Sequence, residues 1–142
     1  MKLSCQLICA ALAALCLPAS AAADQSADPD IAFVASAGHW ETAEASGRYR
    51  VVVRQQGYEH VSSAVVAEWI EAPTDAHAAS RAAFSRQLVA PGMTSFGQPK
   101  LTPRGDRVRV ELKGTHTYAL NDVSCLFELS PGGEVKTIEP CG

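Results

Sequence analysis

The sequence predicts an α+β fold: antiparallel β-hairpins forming a sheet or partly open barrel, with one amphipathic helix at about 75–90 packed on it. Three observations carry this expectation. Apolar and polar residues alternate with period 2 along 48–54, 107–113 and 123–130, the pattern of half-buried strands. Ala76 to Ala90 is alanine-rich, free of glycine and proline, and follows an N-cap candidate in Pro73-Thr74-Asp75. Turn residues punctuate the remainder at Gln55-Gln56-Gly57, Pro91-Gly92, Arg104-Gly105-Asp106 and Pro131-Gly132-Gly133.

The chain opens with Lys2, an apolar stretch from Leu7 to Leu17, and the small residues Ala21-Ala22-Ala23. This pattern predicts a cleaved secretory signal peptide over 1–23, with Asp24 as the mature N-terminus. The apolar stretch falls short of the ~20 residues that a spanning helix needs, so no transmembrane segment is expected after cleavage. Leu15 before Cys16 and Ile8 before Cys9 do not suit lipidation. A periplasmic or secreted location follows. Cys5, Cys9 and Cys16 leave with the leader, and Cys125 and Cys141 remain as one expected disulfide. Residues 24–30 read as a flexible acidic lead-in, and 31–142 as a single small α+β domain.

Tyr49, Val51 and Val53 alternate with Arg48, Arg50 and Arg54, with Val52 as an outward apolar residue. Beyond Gly57 a second strand runs from Tyr58 to about Glu71, predicting a hairpin. Val61, Val65, Ala67 and Trp69 share one parity while Val66 and Ile70 take the other, so this strand is either covered on both faces or shifted in phase by a bulge. In the expected helix, Ala76, Ala79, Ala83 and Leu88 fall near one face with Phe84 at its edge. Val108, Val110 and Leu112 form the next alternating row, and Val123, Cys125, Phe127 and Leu129 the one after. A last strand covers Glu134 to Glu139. Direct pairing of Cys125 with Cys141 needs strand numbers summing to 266; pairing Ser130 with Glu134 sums to 264 and requires Cys141 to return past Pro140.

Without the leader, eleven Lys and Arg face 15 Asp and Glu, a net charge of −4, which excludes a general nucleic-acid binder. Charge is uneven: 100–113 carries Lys100, Arg104, Arg107, Arg109 and Lys113 against Asp106 and Glu111. If the strands at 48–54 and 107–113 adjoin, Arg48, Arg50, Arg54, Arg107, Arg109 and Lys113 form one basic face for an anionic glycan, a lipid headgroup or an acidic protein. A pocket protein instead needs Trp40, Tyr58, His60 and Trp69 to line a cavity.

Nothing in the sequence points to a catalytic residue, metal or cofactor. His39, His60, His77 and His116 form no H-x-H, H-x-x-x-H or H-E-x-x-H unit, and no G-x-S-x-G frames a nucleophile. Glu68 and Glu71 lie near Trp69, but residues three apart in a strand face opposite sides. Gly38-His39-Trp40 is similar to the G-x-W that opens the first strand of lipocalins, secreted barrels for small apolar ligands. That similarity covers three residues, and lipocalins close eight strands before their helix, so the family is not carried over. Small periplasmic lysozyme inhibitors share the leader, size, strand content and single disulfide, by analogy alone. The reading reached is a small exported non-enzymatic binding or inhibitor-type module, with a small-molecule carrier or small hydrolase as the alternative.

Overall fold

The computed structural model describes residues 28–75 and 78–142, so the predicted leader lies outside the described residues. Among the described residues, nine strands form two antiparallel sheets. The first contains β1 (Ile31–Glu41), β2 (Ser46–Gln56), β3 (Ser62–Glu71) and β4 (Ala82–Gly92), paired in that order. The second contains β5 (Thr94–Phe96), β6 (Lys100–Arg104), β7 (Arg107–His116), β8 (Asp122–Ser130) and β9 (Glu134–Glu139). Here β7 pairs with β8 and with both β5 and β6, and β9 closes the other edge. Asp28 to Asp30, the end of the expected lead-in, form a turn: Ile31 N–H donates to Asp28 O at 3.0 Å, and Gln55 N–H to Asp30 O at 2.8 Å.

The alternating rows read from the sequence face each other across the core. Tyr49, Val51 and Val53 of β2 and Val65, Ala67 and Trp69 of β3 meet Val108, Val110 and Leu112 of β7 and Cys125, Phe127 and Leu129 of β8. Each sheet thus buries one face against the other. Tyr49 Oη donates to Asp106 O at 2.6 Å and Trp69 Nε1 to Ser130 O at 2.8 Å, so the buried polar tips of the first sheet are satisfied by carbonyls of the second.

The α+β expectation is overturned: the described residues contain no helix, and most of the segment expected to be helical is β4. Ala76 and His77 lie outside the described residues. The cause is legible in the β3–β4 register, which shifts three times, between Ser63 and Val65, between Val65 and Val66, and between Trp69 and Ile70. Each bulge adds a residue and resets the side-chain phase. The shifts bring Ala83, Phe84, Leu88 and Val89 against the core, at spacings of four and five that imitate a helical stripe. Energetics favour the strand. Alanine's helical advantage is at most ~0.7 kcal/mol per residue over ordinary side chains, whereas half-burying Phe84, Leu88 and Val89 gains roughly half of the ~1.5–3 kcal/mol of full burial at each. Pro91 is tolerated because β4 is an edge.

The two open questions of the sequence resolve. The β2–β3 register is unbroken from Gly47↔Glu71 to Gln56↔Ser62, so β3 keeps its phase: Val65, Ala67 and Trp69 are buried on the inner face, while outward Ala64, Val66 and Glu68 are half-buried. Outward-facing Val52 and Ile70 are only 6% and 8% exposed. At the β8–β9 hairpin both registers occur: Ser130 pairs with Glu134, a shift follows between Leu126 and Phe127, and Ser124 exchanges backbone hydrogen bonds with Gly142. That shift carries the chain past Pro140 and sets Cys141 opposite Cys125, where the predicted disulfide forms with Cα atoms 4.4 Å apart.

Candidate anion-binding site

The tight connection Gly105-Asp106 folds β6 back on β7, with Gly105 at φ 63°, and fixes the register Lys100↔Glu111, Thr102↔Arg109, Arg104↔Arg107. Since side chains alternate, Leu101 and Val110 go to the core and the charged residues go outward. The outer face of the hairpin, with Leu126 of β8 and Glu139 of β9, forms an open bowl of about 460 Å³. Lys100, Arg104 and Arg109 bring positive charge to it, Glu111 and Glu139 negative charge, and Thr102 a hydroxyl; the disulfide's Cys125 lines one side.

Its ion pairs are unevenly satisfied. Lys113 Nζ lies 3.0 Å and Lys100 Nζ 3.7 Å from the Glu111 carboxylate. Hydrogen bonding and charge from Lys113 chiefly, then from Lys100, hold the Glu111 carboxyl below its ordinary pKa. Arg107 takes Glu128 at 3.1 Å, leaving Arg109 Nε 4.0 Å from that carboxylate. Arg109 Nε is buried and has no hydrogen-bond partner. Arg104 makes no salt bridge among the described residues. Three cations against two carboxylates leave an excess of positive charge beside an unused donor.

The single basic face does not form. Arg48, Arg50 and Arg54 belong to the first sheet and Arg107, Arg109 and Lys113 to the second. The sheets are packed by their inner faces, so the two rows point to opposite sides of the molecule. The β2 row is also partly neutralised: Arg50 meets Glu68 at 2.6 Å, and Arg54 pairs with Asp28. What survives is the 100–113 segment, whose charge bias was visible in the sequence and whose Lys100 and Arg104 the six-residue face omitted. The β6 strand itself was missed because Pro103 and a five-residue length obscure its alternation.

The four aromatic candidates do not line a cavity together. Trp40 and Trp69 are fully buried, with Trp40 Nε1 donating to Arg48 O at 3.1 Å. Tyr58 is fully exposed, and His60 stands in the exposed loop after β2. Glu68 and Glu71 are not a catalytic couple either: Glu68 pairs with Arg50, and Glu71 with Arg81 at 3.0 Å. Among the described residues no three His, Cys, Asp or Glu side chains converge to hold a metal ion. Gly38-His39-Trp40 has a local cause. Gly38, at φ 71°, sits in a register shift between Ala37 and Trp40 that turns the indole inward, and a Cβ there would lie 2.4 Å from Val108 Cγ2.

Comparison with protein-family models, curated proteins and solved structures gave no match to the chain. No described helix is long and apolar enough to cross a membrane.

Proposed function

We propose that the chain is a small exported binding module whose ligand is an anionic sugar held in the bowl on the β6–β7 hairpin. The observations that carry this are Arg104, without a salt bridge among the described residues, and Arg109, whose Nε–H has no hydrogen-bond partner and only a long ion pair with Glu128 at 4.0 Å. A buried donor left unsatisfied costs ~1–3 kcal/mol, which an incoming anionic acceptor recovers. Among glycan, headgroup and acidic protein, the glycan is favoured by the concave shape and by Glu111, Glu139 and Thr102, which accept hydroxyl protons beside the cations. Binding, not turnover, is the reading because Glu111 is already engaged by two lysine ammonium groups, Lys113 at 3.0 Å and Lys100 at 3.7 Å. The leader pattern and the disulfide support an extracytoplasmic setting.

The test is titration with a galacturonic acid tetrasaccharide, phosphatidylglycerol vesicles and a poly-Glu peptide, followed by the Arg Nε–Hε resonances. The tetrasaccharide is expected to shift Arg109, and Arg104→Gln to weaken it about tenfold, the value of one charged hydrogen bond. An unmoved Arg109 signal with all three probes overturns the reading, and preference for vesicles or peptide replaces the ligand class.

A further inference from the structure

One end of the molecule, formed by the β2–β3, β4–β5 and β7–β8 connections, carries features that the anion bowl does not use. Tyr58, Met93, Tyr118 and Leu120 are large apolar side chains exposed there, one or two from each connection. Thr117 ties the connections into a frame: its backbone N–H donates to Met93 O at 2.7 Å and its hydroxyl to Val61 O at 2.8 Å. His116 Nδ1 accepts the N–H groups of Tyr118 and Ala119 at 3.3 and 3.1 Å, which fixes the turn that presents Tyr118. The His60 and Tyr118 rings lie 4.4 Å apart at 33°. Between them and the β4–β5 corner opens a cleft of about 270 Å³ lined by His60, Val61, Pro91, Met93, Thr117 and Tyr118.

The geometry points to this cleft as a binding site for one neutral aromatic ring. Size fits one ring, because the cleft is smaller than the roughly 300–1,000 Å³ of drug-sized pockets, while a cavity of about 150 Å³ already takes a benzene ring. Wall chemistry selects the ring over an aliphatic group of equal volume: Tyr118 and His60 offer π-faces or edges, and Met93 a polarisable thioether. Charge selects neutrality. No Lys, Arg, Asp or Glu lines the cleft, so a charged ring of either sign finds no counter-charge in its walls. The frame needs no reorganisation on binding, since Thr117 has already joined its three walls.

Such a ring is either a free phenol or indole, or the aromatic side chain of a partner peptide. Met1 and Met93 are the chain's two methionines, so ¹³C-methyl labelling gives a reporter inside the cleft, assigned with Met93→Leu. Titration with p-cresol, with Gly-Gly-Trp-Gly-Gly and with cyclohexanol is expected to move the Met93 methyl upfield and saturably for the aryl probes. Cyclohexanol is expected to bind about tenfold more weakly, and Tyr118→Ala to weaken the aryl probes about tenfold, ~1.4 kcal/mol. His60→Ala is read in the same way should Tyr118→Ala fail to fold. Saturation by cresol alone identifies a small molecule as the source, and saturation by the peptide a partner side chain. An unmoved methyl, an equal response to cyclohexanol, or undiminished binding in a folded Tyr118→Ala overturns the proposal. None of these readouts involves Arg104 or Arg109, so failure here is distinct from failure of the anion site.

Discussion

Tyr49 shows how much one side chain is asked to do. Its ring is fully buried, it meets Trp69 edge-on at 5.8 Å, and its hydroxyl spans the two sheets to Asp106 O. Burial first, then the Asp106 charge, push its pKa up to about 12. A raised phenol pKa means that the unfolded chain loses this proton first. Stability is therefore fully present below pH ~10 and declines between pH ~10 and ~12, by at most about 1.4 kcal/mol per pH unit from this group. Tyr49→Phe is expected to lower stability at pH 7 by ~1–2 kcal/mol through the lost hydrogen bond and to flatten the alkaline decline. Urea denaturation at pH 8 and 11.5 on both proteins checks both halves. Gly38 is the complementary case, where the absent side chain matters. Gly38→Ala places a methyl against Val108 in a positive-φ position, and a loss of ~1–3 kcal/mol is expected from the same measurement.

At the scale of elements, β4 is held by what its bulges bring inward. Phe84 packs edge-on against Trp40 at 6.5 Å and Trp69 at 6.3 Å, and Gly133, at the β8–β9 turn, has no room for a Cβ because of that ring. Phe84→Ala is expected to cost ~2–4 kcal/mol, below the fully buried range because the ring is half-exposed. Amide exchange should then speed up in β4 before β2, since β4 has one neighbour and β2 two. The β9 strand depends on a covalent staple. Its residues are exposed, so its pairing with β8 buries little, and Cys125→Ser is expected to lower stability by ~2–5 kcal/mol and to deprotect the Ser124–Gly142 pair. Two free thiols in native, non-reduced protein would remove this contribution.

The whole molecule separates two positive surfaces by the thickness of a sandwich. Arg50→Glu on the first sheet is expected to leave tetrasaccharide binding unchanged, while Arg109→Gln on the second abolishes it; equal losses in both would contradict the opposed geometry. Added salt should weaken binding, as the bowl is open to solvent. Acid acts in the other direction. Glu111 stays ionised below the ordinary carboxylate range, so protonating it requires a correspondingly lower pH, where the bowl gains positive charge and a permanently sulfated probe should bind more tightly.

Local patterning in the sequence located β2, β3, β7, β8 and β9 and left their order in the sheets open: the alternating rows, their turns, the cysteine pair and the basic bias of 100–113 are all visible in it. Each is a local property, written in period-2 alternation, turn residues or composition, and each survives folding unchanged. It did not determine β4, because register shifts against β3 gave a strand the spacing of a helix and only the unpaired edge of β3 decides between them. Nor did it determine the site. Whether Arg50 and Arg109 share a surface depends on which sheet each strand joins, and that is fixed by long-range packing of two apolar faces, to which the outward charges contribute nothing. Tertiary structure therefore split the six-cation face, buried the tryptophans, and set Lys100, Arg104 and Arg109 around one bowl.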